Sequence, residues 1–408
     1  TGRAFSAYTR YFNWTWTNTL NYHRELLKNG DLSFNLQAGY ESQLNKQYFT
    51  TLQARGFSTS PTLYLQYPSS AATPSTTTGA ISDYSFASSF GNGDLNYKDR
   101  YIVSGSFRRD GSSRFGANNK YGNFWSVGGT WNVDNEGFMA NVDWISQLKL
   151  RASYGVNGNA GIGNYDWFPS YGFSVTYNSA PGSSPSNVGN LNLTWELNKP
   201  LNVGIDIGLL KDRLSVTADW YKRRSDDLLL SVPLSRTSGF SSQSQNIGSM
   251  ENKGVELTIN AIPVQTKDFT WTVNFNFARN KNKVLSIPSP IIGTFYIQNG
   301  YDIQTFYTRV YAGVDPANGD PLWYADSTRK TTTNNYTAAQ RVPYGSASPK
   351  YFGALTNTIK YKGLTLEAQF NYQYGNLLQD SWGAYYLGAG FNAGFSGALP
   401  VKMPSNGL

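Results

Sequence analysis

A two-residue rhythm of apolar and polar side chains constrains this sequence more than any other feature. Phe12, Trp14 and Trp16 alternate with Asn13, Thr15 and Thr17, and Leu32, Phe34, Leu36, Ala38 and Tyr40 alternate with Ser33, Asn35, Gln37, Gly39 and Glu41. Successive side chains of an extended chain point to opposite faces, so each such segment has one apolar and one polar face. The pattern returns at 148–156, 201–209, 214–220, 255–261, 271–277 and 364–372. It predicts about twelve strands, many of roughly ten or more residues, longer than the strands of soluble sheets and matched to a tilted crossing of a bilayer.

The connections carry a second, independent signal. Short links are expected at 24–30, 98–99, 211–212, 264–267 and 362–363, with one of intermediate length at 134–146. Between them fall long segments, expected as loops near 42–82, 110–121, 158–195, 225–252, 280–349 and 376–408. Strands joined alternately by short and long connections place all the long loops at one end, as in transmembrane β-barrels; a sandwich has no reason to keep that parity.

Composition narrows the classes further. The 408 residues include 40 Gly and 29 Tyr but no Cys, and only 15% are charged, against about 25% in ordinary soluble domains. The missing Cys removes disulfide scaffolds and thiolate metal sites. No apolar run of about 20 residues offers a transmembrane helix, and the first residues show no signal-peptide core. The net charge of +8 comes without a basic helix or a nucleic-acid motif, so nucleic acid is not an expected partner. Instead, Arg108, Arg109, Lys120, Lys222 to Arg224, Arg279, Lys281 and Lys283 sit at strand ends. In a barrel such positions meet anionic lipid headgroups; otherwise they simply solvate the strand ends.

One hairpin is the most specific stretch. Tyr101 to Arg109 and Gly122 to Val133 are strands around a polar, glycine-rich connection, with Tyr101, Phe107, Phe124, Trp125 and Trp131 near their ends. Its wording, FRRDGSSRFG followed by NNKYGNFWSV (107–127), resembles the signature hairpin of the SusC/RagA family of TonB-dependent outer-membrane transporters. Further stretches resemble that family in the same order: 148–165, 193–230, 238–257, 312–324 and 348–366.

The resemblance implies an all-β, transmembrane antiparallel β-barrel, this chain forming a middle-to-late portion of a barrel of about 22 strands. The plug domain, TonB box and first and terminal strands are expected to be absent, leaving open sheet edges. It also implies active import of oligosaccharides, or peptides, beneath a SusD-like surface lipoprotein acting as a lid, energised by TonB-ExbB-ExbD. Gly111, Gly116 and Gly122 are expected to serve turns, and Arg108, Arg109, Asp110 and Arg114 to make ionic contacts within the loop.

Candidate contact residues are the aromatic members of the loops: Tyr64, Tyr67, Tyr165, Trp167, Phe168, Tyr171, Phe173 and Tyr177. They stack on sugar rings, contact a peptide, or pack the loops on one another. No catalytic, cofactor or metal residue is expected. His23 is the single histidine, at a strand end beside a turn, and no phosphate loop or zinc motif is present. The run DPANGD (315–320) reads as a turn, since it lacks the glutamate that completes a calcium loop. Two alternatives stay open: a siderophore- or cobalamin-type TonB-dependent receptor, and a soluble carbohydrate-binding β-sandwich. A surface glycoside hydrolase would need paired carboxylates from Asp226, Asp227, Glu251, Glu256 or Glu367.

Overall fold

The computed structural model describes residues 2–27, 30–57 and 73–380. Two compact units divide the chain: 1–291 with 297–303 and 353–371, and 292–296 with 304–352 and 372–408. One twelve-stranded sheet runs in strict chain order: β1 (Gly2–Glu25), β2 (Leu32–Phe57), β3 (Thr73–Tyr97), β4 (Tyr101–Ser112), β5 (Tyr121–Asn132), β6 (Ile145–Asn159), β7 (Glu196–Leu209), β8 (Leu214–Asp226), β9 (Ser249–Gln265), β10 (Phe269–Ser286), β11 (Tyr351–Tyr361) and β12 (Leu364–Tyr374). From β1 to β10 every pairing is antiparallel. Within the described residues β1 and β12 each have one strand neighbour, and nearly every residue of both is exposed.

The register sorts side chains into two continuous faces. On the outer face Ile207 lies opposite Val216, Val216 opposite Ile259 and Ile259 opposite Phe275; in the next row Ile205, Ala218, Leu257 and Phe277 line up. One residue along, Asp206, Thr217, Thr258 and Asn276 form an inner row. There Arg151 donates to Asp206 at 2.8 Å and reaches Asp219 at 3.2 Å. An apolar exterior and a polar, ion-paired interior are what a barrel between lipid and water requires.

Aromatic girdles bound the outer face. Tyr101 stacks on Trp131 (centroids 6.3 Å) toward the short-turn end, and Trp125 meets Tyr154 edge-on (5.7 Å) toward the other. Trp125 and Trp131 are six positions apart on β5, about 20 Å along the strand. The lower girdle is clasped from the link 133–144: Glu136 accepts from the Tyr101 hydroxyl at 2.5 Å and the Trp131 indole at 3.0 Å, and Arg100 sits 3.3 Å away.

The short links occupy 26–31, 98–100, 133–144, 210–213, 266–268 and 362–363, at one end; among the described residues the connections at the other are 113–120, 160–195, 227–248 and 287–350. Length parity is not strict, because 113–120 is shorter than 133–144. A larger correction concerns 42–82, expected as loop. Most of it is strand: β2 and β3 stay paired from Leu32 opposite Tyr97 up to Arg55 opposite Thr73. Beyond Phe86 opposite Ser112, β3 has no β4 partner, so Thr73–Ser85 continues upward with β1 and β2 as a projecting ribbon. Its Ser and Thr suggested loop because a ribbon in water needs no apolar face, while β-branched threonine suits an extended backbone. Tyr64 and Tyr67 lie outside the described residues.

Two outcomes test this arrangement. Leu257→Arg, in the middle of the outer apolar band, is expected to destabilise the liposome-folded protein by about 2–4 kcal/mol in urea titrations, with Thr258→Arg on the inner face costing much less. Hydrogen bonds from Tyr101 and Trp131, together with the Arg100 charge, hold the Glu136 carboxyl below its ordinary range. A depressed acid stabilises the fold above its unfolded pKa and loses that contribution as pH falls through the folded one. Wild type should therefore exceed Glu136→Gln in urea midpoint at pH 6, and the difference should vanish below the carboxylate range.

Candidate functional site

The long-loop end of the sheet holds a cluster of buried hydrophobic residues, at the hairpin β4–β5. Phe115 is fully buried, and the Trp195 ring lies between it and Phe124, with centroids 5.2 Å from each. Leu193 and Ala160 complete the cluster, and Phe86, Trp167 and Leu229 pack on it. Indole donors tie the loops together, Trp195 to the Lys120 carbonyl and Trp167 to the Ser113 carbonyl, each at 3.1 Å. The connections 113–120 and 160–195 therefore share one small apolar core above the inner face.

Glycines make room for that core. A Cβ on Gly122 would stand 2.3 Å from the Phe124 ring and one on Gly158 only 2.0 Å from it, so the ring lies across two bare backbones. Gly111 and Gly116 likewise clear the Tyr121 ring and the Leu191 carbonyl. None of Gly111, Gly116 and Gly122 has a positive φ. Gly116 does serve a turn, its carbonyl accepting the Asn119 N–H at 3.0 Å, whereas Gly111 and Gly122 lie within β4 and β5, so that for these two the expected role in turns is corrected to steric clearance, a long-range requirement that a turn-like composition disguises.

The charged residues of the hairpin divide by parity. Arg108 faces inward and bridges Glu41 (3.0 Å) and Asp110 (2.5 Å). Arg109 faces outward, its guanidinium 5.0 Å from the Tyr121 ring centre. Arg114 reaches beyond its own loop: it lies 3.9 Å over the Tyr84 ring and donates to Asn164 and to the Ala160 carbonyl, each at 2.9 Å. Only the Arg108–Asp110 pair is the within-loop ionic contact expected. Beside these groups opens a cleft of about 350 Å³ lined by Glu41, Gln43, Ser88, Arg108, Asn159 and Trp195. Ser88 is buried, with no hydrogen-bond partner for its hydroxyl. It is a polar, mixed-charge cleft with Phe86 and Trp195 as its aromatic lining.

The aromatic loop residues separate into two groups. Tyr165 donates to Asp83 at 2.8 Å and accepts from its backbone N–H at 3.0 Å; burial and then that carboxylate push its hydroxyl pKa up. Trp167 is half-buried against the cluster, with Phe168 edge-on at 5.3 Å. Tyr171, Phe173 and Tyr177 lie on the first strand of the hairpin 170–187, on either side of a register shift between Gly172 and Val175, and are 62%, 80% and 86% exposed. Each presents its ring to water. Asp166 accepts from Ser244 at 2.8 Å and Asn190 donates to the Ser244 carbonyl at 3.0 Å, which ties 227–248 to the same assembly.

The second unit carries a separate aromatic cleft of about 470 Å³, lined by Phe306, Tyr307, Tyr344 and Leu377 among others. Tyr307 stacks on Tyr296 at 4.4 Å. Sequence reasoning singled out neither cleft, because both assemble from positions far apart in the chain. DPANGD is the turn between Tyr311–Val314 and Pro321–Tyr324, closed by the Gly319 N–H on the Asp315 carbonyl at 2.8 Å. His23 pairs with Asn35 at 2.6 Å on the inner face. Among the carboxylates considered for hydrolysis, Asp226 and Glu251 are held in outward ion pairs with Lys199, Arg224 and Lys222.

An in-order sheet with an apolar exterior, a polar interior and elaborated loops at one end defines the wall and mouth of an outer-membrane β-barrel. The chain belongs to the TonB dependent receptor-like, beta-barrel family, which matches residues 1–372. The TonB-dependent receptor P3 of Formosa agariphila is 31% identical over 92% of this chain and 40% of its own length. The TonB-dependent receptor SusC of Bacteroides thetaiotaomicron is 32% identical over 71% of this chain and 32% of its own. The solved structure of the RagAB peptide transporter superposes with a TM-score of 0.82 at 30% identity, covering 91% of this chain and 42% of that one. The chain thus spans well under half the length of these relatives.

Phe115→Ala removes the centre of the cluster and is expected to cost about 3–5 kcal/mol locally. Limited proteolysis should then cut at Arg114 and Lys120, sites protected in the wild type. Unchanged protection would mean that the loops are held by their polar contacts alone.

Proposed function

We propose that this chain is the middle-to-late barrel wall and extracellular mouth of an active importer of oligosaccharides or peptides. In this reading the missing parts of the barrel wall pair with the exposed edges β1 and β12. A plug closes the lumen, TonB-ExbB-ExbD supplies the energy, and a SusD-like lipoprotein covers the loops. The superposition on the RagAB peptide transporter over nine-tenths of the chain carries the proposal, and the saccharide alternative rests on what the SusC/RagA resemblance of the sequence implies.

The geometry of the mouth supports a large, neutral, polar cargo. The cleft beside Arg108, Glu41 and Ser88 offers donors and acceptors together with the Trp195 ring, the combination that holds sugars and peptide backbones. The water-facing rings of Tyr171, Phe173 and Tyr177, together with Phe168 and Trp167, are the proposed contact for cargo or lid. The barrel does no chemistry on what passes; it selects and admits.

Deleting the gene in its host is expected to abolish growth on oligosaccharides or oligopeptides too large for porins, while growth on monosaccharides and free amino acids persists. A protonophore should reproduce the defect in the parent strain. A defect confined to ferric-siderophore uptake would sink the proposal and favour a metal-chelate receptor.

A further inference from the structure

The outer face of β8–β10 changes character abruptly toward the long-loop end. On β8, Trp220 gives way to Lys222 and Arg224; on β9, Val255 gives way to Lys253; on β10, Phe277 gives way to Arg279, Lys281 and Lys283. The register places Lys222 directly opposite Lys253, and Lys253 directly opposite Lys281. Three lysines therefore stand in one cross-strand row, with strands about 4.8 Å apart. Like charges so placed repel and lower the stability of the sheet.

The surroundings answer this repulsion only in part. Glu251 lies 3.1 Å from Lys222 and 3.9 Å from Lys253, and Asp226 is engaged by Lys199 and Arg224. The face as a whole carries seven cations against two carboxylates. Lys222 and Lys253 stay about half exposed, at 47% and 53%. Immediately below the row, Trp220 and Val255 are exposed at 42% and 41% and continue into the apolar band. Inward residues at the same level are mainly uncharged, including Tyr221, Asn252 and Asn280, so the cations belong to the lipid side and not to the lumen.

We propose that this row is a binding site for a phosphorylated lipid of the outer leaflet. Its phosphates lie among Lys222, Lys253 and Lys281, and its acyl chains run down over Trp220, Val255 and Leu257. A multivalent anion relieves the lysine repulsion, and the apolar strip beneath fixes the ligand as an amphiphile instead of a free anion. The inference rests on the outward and inward faces of the barrel, not on the cargo.

The test uses the full-length protein extracted from its own membranes in mild detergent, with heat-modifiable migration to verify folding. Native mass spectrometry and thermal shift are read on adding lipid A with and without its phosphates, and inorganic phosphate as the soluble control. Wild type should retain and be stabilised by the phosphorylated lipid alone. The triple variant Lys222→Gln, Lys253→Gln, Lys281→Gln should bind it about tenfold or more weakly. Replacing the same three with Arg should preserve binding, as should the short-turn control Lys211→Gln, Lys267→Gln, Lys362→Gln. Equal binding by the Gln triple overturns the proposal. So does an equal response of wild type to phosphate-free lipid A or to inorganic phosphate, a result that needs no variant to fold. Cargo uptake is a separate readout, so failure here leaves the transport reading untouched.

Discussion

Backbone hydrogen bonding inside hydrocarbon governs everything else in this chain. An unpaired N–H or carbonyl there has no water to turn to, so strands must satisfy one another completely along their membrane-spanning length. The strict in-order antiparallel pairing of β1 to β10 is the outcome. Once that register is set, the side chains have no further choice. Every second residue faces lipid and its neighbours face the lumen, which is why Leu257 and Thr258, adjacent in sequence, live in different solvents.

At the loop end the same backbone continues into water and the rules relax. There the order comes from side chains: a ring cluster around Phe115, a Phe124 ring lying over two glycines, and a guanidinium on Tyr84. Such contacts join residues dozens of positions apart. They give the mouth a defined form where the sheet alone would leave loose connections.

Legibility in the sequence follows this division. The alternation at 12–17 and 32–41, and the turns at 98–99, 211–212 and 362–363, are local, and the structure places strands and turns there. The extent of β2 and β3 was not legible, because a ribbon that projects beyond the sheet needs no continuous apolar face and has the composition of a loop. Nor were the roles of Gly111 and Gly122, whose neighbours are the Tyr121 and Phe124 rings; the turn at Gly116, a local feature, was legible. Tyr165 and Trp167 look like any surface aromatics in the sequence; only the contacts to Asp83 and Ser113 distinguish them from Tyr171 and Tyr177. Parity gave the inward Arg108 and the outward Arg109, but only in retrospect, once the register was known.

The order of the strands also bears on how such a wall is assembled. Because each strand binds its predecessor, the sheet can grow from an edge one hairpin at a time, with sequence-local contacts forming at every step. Each added hairpin must carry its far connection through the hydrocarbon. Those cargoes are unequal: 113–120 is a few polar residues, whereas 287–350 brings several small sheets of its own. The slow step of assembly should therefore fall between β10 and β11, where the wall waits with a bare edge for its largest loop to cross.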